Sequence, residues 1–349
     1  LEIAYPLAGG NGHAAVGEAE SDGQIGRGDG QIMIGRLKSC LLDRAAEWGL
    51  PQSEKWSFLF YNNYHPHCSD MDILWFLNTE KYPRVVTKIS REPERPGREF
   101  ANLRQVHAAA PKWTPRPLDY CAEGSFWTLW MEGVPGTRFG GRPTSDVLRP
   151  MVETIAGIHR ALSAPPERAQ TDRFRDAVAE PLRILSEFGA SPVPEGCRRL
   201  LAAAGAERLE SLPVIPQHGD LYDGNLLRHP GGWYVVDWES FGMVDLPAYD
   251  LYTLLLSLLL ADGATCRQWR PELVAQISGL VKLYGERLGL AEAELATMLP
   301  LTLANWFYVQ WRDGRASFLK RMYPTIADYF ENRERWETVF LSRAGEWLQ

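Results

Sequence analysis

The sequence predicts an α+β protein in two lobes, a small β-rich N-terminal lobe and a larger, mainly helical C-terminal lobe. Three observations carry that reading. The 349 residues, 45% of them hydrophobic and 11% aromatic, are enough for two cores. Short runs rich in β-branched and aromatic residues crowd into the first 132 positions. From about residue 144 the remainder reads as mainly helical.

Residues 1–30 hold eight glycines and few large apolar residues, the composition of a flexible arm. Within them Gly26-Arg27-Gly28-Asp29-Gly30 has no strand before it, which a dinucleotide-binding loop requires. Ile32 to Trp48 reads as an amphipathic helix, stopped by Gly49 and Pro51. Trp56–Tyr61, Asp72–Leu77 and Arg84–Ile89 read as strands. A helix follows from about Arg98 to Ala109, then a strand over Ser125–Met131. The longest apolar run, Leu254–Ala261, is too short to cross a bilayer and reads as a buried helix of the larger lobe. The lobes are expected at residues 31–132 and 133–349, after the arm at 1–30.

Composition excludes several function classes. The net charge is −7 and no basic stripe stands out, which argues against a nucleic-acid partner. Cys40, Cys68, Cys121, Cys197 and Cys266 are odd in number and scattered, with no CxxC. That usage suits a reducing cytoplasm rather than a disulfide framework. No charged-then-apolar leader pattern is read, so the expectation is a cytoplasmic protein without a membrane partner. Oligomeric state is not legible.

The chemistry is concentrated in two segments. Residues 218–225 read His218-Gly219-Asp220-Leu221-Tyr222-Asp223-Gly224-Asn225, and Val235-Val236-Asp237-Trp238-Glu239 follows. An Asp, an Asn five residues on, and a second Asp closing an apolar strand form the oxygen-donor pattern of phosphoryl transfer. Asp220 would take or orient a hydroxyl proton. Asn225 and Asp237 would hold Mg²⁺ against ATP phosphates with hard oxygen donors. Pro230-Gly231-Gly232 supplies a turn and Tyr234-Val235-Val236 a strand, so a hairpin would set Asn225 and Asp237 side by side.

These residues resemble the aminoglycoside phosphotransferase and choline kinase group of small-molecule kinases, which share a protein-kinase-like bilobal fold. The HGDxxxxN loop and the aliphatic-Asp-Trp segment carry the resemblance. Asp245-Leu246-Pro247-Ala248-Tyr249-Asp250-Leu251 and the helix Ile155–Leu162 extend it. The resemblance implies a catalytic Asp220, with Asn225 and Asp237 on the metal and His218 bracing the loop. It also implies that Leu129–Gly136 is the hinge where adenine binds. Glu132 would offer its C=O, Val134 its N–H, and Met131 would line the pocket. Asp250 is read as a cap on the leucine-rich helix.

A kinase also needs a cation on the phosphates and a partner to hold it. Lys88 sits in the third strand. Glu99, Leu103 and Val106 recur at i, i+4, i+7, which places Glu99 on an inward stripe where a carboxylate is costly unless paired. Lys88 is the natural partner. Glu92 and Glu94 compete, but Pro93 and Pro96 are expected to keep them off a helix. A glycine-rich phosphate loop is missing, and Tyr61–Asp70 stands in its place. His65, His67 and Cys68 there lack the second half-site of a structural zinc site.

The acceptor is expected to be a small-molecule alcohol. Asn305–Trp311 faintly resembles a choline kinase segment whose tryptophans hold a quaternary ammonium, so Trp306 is a candidate pocket wall, with Leu303 where the second aromatic would stand. Asp223 is a candidate substrate contact, and Glu239 a candidate metal or water contact. Arg312 to Arg343 holds seven basic residues and five acidic ones, a balance that argues mildly against a polycationic acceptor. Two other readings are a catalytically silent kinase-like binding protein and a protein kinase. Retention of Lys88, Glu99, Asp220, Asn225 and Asp237 argues against the first. The second lacks an HRD-type loop, a glycine-rich loop and an APE-like segment.

Overall fold

A computed structural model describes residues 27–53, 55–61, 71–139, 143–163, 170–188, 192–203 and 212–341. Residues 1–26 of the expected arm (1–30) and the His65–Cys68 segment lie outside the described residues, and residues 27–30 of that arm belong to a helix. The chain divides into two compact units. One takes in the chain up to Phe139 together with Leu226–Glu239. The other is Gly140–Asn225 with the chain from Ser240 onward.

The first unit is β-rich. Strands β1 (Trp56–Tyr61), β2 (Met71–Leu77), β3 (Val85–Ser90), β4 (Pro117–Glu123) and β5 (Phe126–Glu132) form one antiparallel sheet in the order β1-β2-β3-β5-β4. A second sheet joins β6 (Thr137–Arg138) to a hairpin of β7 (Leu226–His229) and β8 (Gly232–Val235). The register Leu226↔Val235 to His229↔Gly232 closes that hairpin on Pro230-Gly231. β4 was not foreseen, because Pro117–Glu123 lacks a clean apolar alternation.

Helix α1 (Arg27–Arg44) begins earlier than the expected Ile32 and ends in turns before Gly49. Its Met33, Leu37 and Leu41, spaced by four, form one stripe against Trp56, Ile73, Trp75, Val85, Ile89 and Trp130 of the sheet. Each fully buried leucine contributes about 1.5–3 kcal/mol by leaving water. Two of the indoles keep their donors paired, Trp75 Nε1 donating to Thr87 Oγ1 at 2.9 Å and Trp130 Nε1 to Thr128 Oγ1 at 3.1 Å, while the buried Trp56 Nε1 finds no acceptor among the described residues.

Helix α2 spans Glu94–Ala109 and starts four residues before the expected Arg98. Glu94 is therefore inside the helix, and the expectation that Pro93 and Pro96 exclude it is corrected. Pro93 is the N-cap and Pro96 lies in the first turn, where backbone N–H groups have no intrahelical acceptor anyway. Pro96, Glu99, Leu103 and Val106 are its buried face.

The second unit is helical. It comprises α3 (Ser145–Leu162), α4 (Gln170–Phe174), a π-turn at Arg175–Ala179, α5 (Glu180–Phe188) and α6 (Val193–Ala203). After the loop that carries Asp220 come α7 (Tyr249–Leu260), α8 (Pro271–Leu288), α9 (Glu292–Arg312), α10 (Ala316–Glu331) and α11 (Arg333–Leu341). The leucine run is α7, buried along nearly its whole length, as its apolar sequence requires. Among the described residues no helix is long and apolar enough to cross a membrane.

Candidate functional site

In the β-rich unit, Lys88, Glu99 and Asp237 come together from three separate elements. Side chains alternate along a strand, so Lys88 and Val86 face α2 while Val85, Thr87 and Ile89 face α1. The start of α2 at Glu94 brings Glu99 over the sheet. Lys88 Nζ donates to Glu99 Oε1 at 2.7 Å and Oε2 at 2.8 Å, and to Asp237 Oδ1 at 2.6 Å. Asp237 follows β8 with φ 70, in the left-handed region that aspartate tolerates better than most residues. The turn Trp238–Ser240 follows directly, and Trp238 Nε1 donates back to Val235 O at 3.0 Å.

A cavity in this unit is lined by Asp72, Lys88, Ile89, Ser90, Arg95, Pro96, Glu99, Asp237 and Glu239. Four of these residues are carboxylates and two are cations, so the lining carries a negative surplus. Oxygens of Glu99, Asp237 and Glu239 lie within 4.8 Å of one another. Glu99 gives both oxygens to Lys88, and Glu239 gives both to Arg95 at 2.6 and 2.9 Å. Asp237 is the most accessible of the three, its side chain 38% exposed against 3% for Glu99 and 17% for Glu239. Burial pushes the Glu99 carboxyl up to about 7, with Asp237 adding and Lys88 opposing. Burial works against the Lys88 ammonium, but Asp237, Glu99 and Asp72 more than offset it and hold it well above its ordinary value. Hard oxygen donors with a charge surplus fit a divalent cation such as Mg²⁺.

Three members of this cluster escaped the sequence reading. Asp72 is the cross-strand neighbour of Lys88. Arg95 lies four residues before Glu99, on the helix face that the prolines were expected to abolish. Asn102 lies further along α2, and its Nδ2 donates to Trp238 O at 2.9 Å and Glu239 O at 3.3 Å. It ties the helix to the segment after Asp237.

At the expected hinge, Met131 is buried and lies two residues beyond Leu129, the cross-strand partner of Lys88, on the same sheet face. Glu132 pairs its side chain with Arg116 at 3.5 Å. Its N–H donates to Arg116 O at 2.8 Å. Val134 is buried. Gly133 is pinned between them: its N–H donates to Arg84 O at 2.8 Å, and a Cβ there would meet Pro83 O at 2.2 Å.

The helical unit holds the loop with Asp220, Asp223 and Asn225. Its anchor is Asp250, at 0% exposure. Asp250 accepts from the N–H groups of His218 at 2.6 Å and Gly219 at 3.1 Å, and lies 3.0 Å from His159 Nε2. Tyr284 OH holds the other ring nitrogen of His159 at 2.7 Å. The reading of Asp250 as a helix cap is corrected. The α7 N-cap is Ala248, without a side-chain cap, and Asp250 is a helical residue whose carboxylate turns toward the loop. Its own N–H donates to Gln217 Oε1 at 2.9 Å.

Within the loop, Asp220 N–H donates to His218 Nδ1 at 3.3 Å. Gly219 has φ +87, and a Cβ there would meet Ser240 O at 2.5 Å, so only glycine fits. Asn225 closes a single 3₁₀ turn and is 3% exposed. Its Nδ2 donates to Asp220 O at 2.9 Å, which leaves the amide oxygen as the acceptor end of the side chain. Trp306 sits in α9 at 7% exposure, edge-on to Phe318 at 5.6 Å.

The β-rich and helical units together make an α+β fold of the protein-kinase-like type, the fold of small-molecule phosphotransferases. The chain belongs to the phosphotransferase enzyme family, whose model matches residues 74–294. Among solved structures it is similar to choline kinase from Cryptosporidium parvum Iowa II, with 12% identity and a TM-score of 0.58 over 87% of this chain and 96% of that one. A thermostable mutant of aminoglycoside phosphotransferase APH(4)-Ia, in ternary complex with ADP and hygromycin B, matches at 13% identity. Its TM-score is 0.50 over 86% of this chain and 98% of that one. Amicoumacin kinase hAmiN, in complex with AMP-PNP, Ca²⁺ and Ami, matches at 15% identity and a TM-score of 0.50, over 87% and 99%. No curated protein matches the chain.

Proposed function

We propose that this protein is an ATP- and Mg²⁺-dependent phosphotransferase that moves the γ-phosphate to a hydroxyl of a small molecule. The observation that carries the reading is Lys88, held at 2.7 Å by Glu99 and 2.6 Å by Asp237 beside a carboxylate-rich cavity. That is the arrangement phosphoryl transfer asks of a protein, since positioning and charge neutralisation do most of the work. The neighbours bound to ADP and AMP-PNP support the choice of nucleotide.

Each residue then has a task. Lys88, oriented by Glu99, neutralises phosphate charge. Asp237 is the reachable carboxylate for the metal, and Asn225 is assigned as a second metal ligand from motif order alone. When bound, Mg²⁺ would neutralise charge developing on the phosphate oxygens. Asp220 accepts the proton of the acceptor hydroxyl. Met131, Glu132 and Val134 are the adenine-side residues. Asp223 and Trp306 are the acceptor-side candidates, and cytoplasmic residence suits this chemistry.

The test is ADP release from MgATP across a panel of alcohols: aminoglycosides, choline, ethanolamine, sugars and nucleosides. Turnover with at least one of them, abolished by chelation, is the expected result. ATP binding without turnover on any acceptor would favour a silent binding protein, and phosphate transfer only to proteins would favour a protein kinase.

A further inference from the structure

A second chemical cluster lies in the β-rich unit and shares no residue with the cavity around Lys88. Helix α1 runs along the edge strand β4, and their contacts recur at helical spacing. Arg36 reaches the Gly124 turn, Cys40 meets Cys121, and Arg44 pairs with Asp119. The sulfurs of Cys40 and Cys121 and a carboxylate oxygen of Glu123 lie within 4.8 Å of one another. Both thiols are half-buried rather than sealed in a core, and both are free.

The surroundings differentiate the two thiols. Cys121 Sγ lies 3.2 Å from Thr128 Oγ1, its cross-strand partner, and 3.8 Å from Glu123 Oε1. The hydrogen bond from Cys40 pulls the Cys121 thiol down to about 6, with Thr128 and Trp130 adding to it against burial. The same hydrogen bond and burial hold Cys40 far above its ordinary value. Cys121, with the Thr128 hydroxyl and the Cys40 thiol beside it, is the sulfur whose thiolate finds hydrogen-bond donors, and Cys40 is its resolving neighbour.

We propose that Cys40 and Cys121 form an oxidisable dithiol, a modification site that a peroxide converts into a disulfide joining α1 to β4. The Cys121 thiolate attacks one peroxide oxygen: an S–O bond forms, the O–O bond breaks, and the second oxygen leaves as water after taking a proton. Cys40 then attacks the sulfenic sulfur: the S–S bond forms, the S–O bond breaks, and the Cys40 proton departs with hydroxide as a second water. The two thiols lose two electrons and the peroxide gains them. The bond closes a loop that contains β1, β2, β3 and α2, and so restricts the unfolded chain.

The experiment treats the reduced, chelator-washed full chain with hydrogen peroxide and maps its peptides without reduction. The expected product is a Cys40–Cys121 linked peptide two hydrogens lighter than its parts and lost on reduction, with a raised melting temperature for the oxidised protein. In Cys40→Ser, Cys121 should accumulate as a sulfenic acid trapped by dimedone. Recovery of both cysteines unlinked from the wild-type chain would overturn the proposal, as would linkage to other cysteines. Zinc retained by the pair through chelation, with no disulfide formed, would show a thiolate metal site instead and equally overturn it.

Discussion

Lys88 is one cation shared by two carboxylates, and that sharing defines the candidate site at the scale of single residues. Glu99 is buried and gives it both oxygens, while Asp237 gives one and stays more exposed. A metal bound to Asp237 would compete with Lys88 for that carboxylate and leave the lysine to Glu99 and the phosphates. Asp237→Ala should therefore weaken MgATP binding, and calorimetry showing equal affinity in variant and wild type would refute the metal assignment. Asp220→Asn should keep nucleotide binding but lower turnover by at least about a hundredfold, because the amide cannot accept the hydroxyl proton. Near-normal turnover in steady-state assays would remove Asp220 from that role. Lys88 and Glu99 were legible as a pair, because an inward carboxylate demands a cation. Asp72 and Arg95 were not, since strand register and the true start of α2 decide their positions.

Elements place these residues, and the prolines of α2 show how. Pro96 reads as a breaker in sequence, yet in the first turn it removes an N–H that had no partner to lose. The helix so begins one turn earlier and carries Arg95 to Glu239. In the helical unit, α7 and α3 act through Asp250 and His159, which meet beneath the loop that carries Asp220. Asp250→Ala would orphan two buried N–H groups and one imidazole nitrogen. Urea unfolding should show a loss of at least about 3 kcal/mol, from about 1–3 kcal/mol for each of the three unsatisfied groups. Turnover should fall with it as the loop loses its anchor. A loss below about 1 kcal/mol would mean that other groups hold the loop.

For the molecule as a whole, the chain leaves the β-rich unit after Phe139 and returns to it for Leu226–Glu239. The hairpin thus delivers Asp237 to Lys88 across 149 positions of sequence. The acceptor is the part of the proposal that depends on the helical unit, with Trp306 its test. Trp306 is 7% exposed against Phe318, so Trp306→Ala should cost about 3–5 kcal/mol of stability by opening a cavity. If it also walls the acceptor site, the acceptor KM should rise while the ATP KM stays, because the lost contact lies on one side of the transfer. Unchanged KM values beside a lowered melting temperature would make it core alone.

Sequence alone determined what short-range rules govern. The strand runs, the leucine-rich helix and the HGDxxxxN and Val-Val-Asp-Trp segments follow from side-chain periodicity, turn chemistry and the oxygen donors that phosphoryl transfer needs. Tertiary structure decided whatever depends on partners distant in the chain. It turned Asp250 from a cap into an anchor, set Asp72 and Arg95 beside Lys88, and brought Cys40 against Cys121. A carboxylate or a thiol has the same local signature whether it caps a helix, braces a loop or meets a second thiol. Which of these it does depends on the groups that packing brings within about 3–4 Å, the range over which hydrogen bonds and ion pairs act.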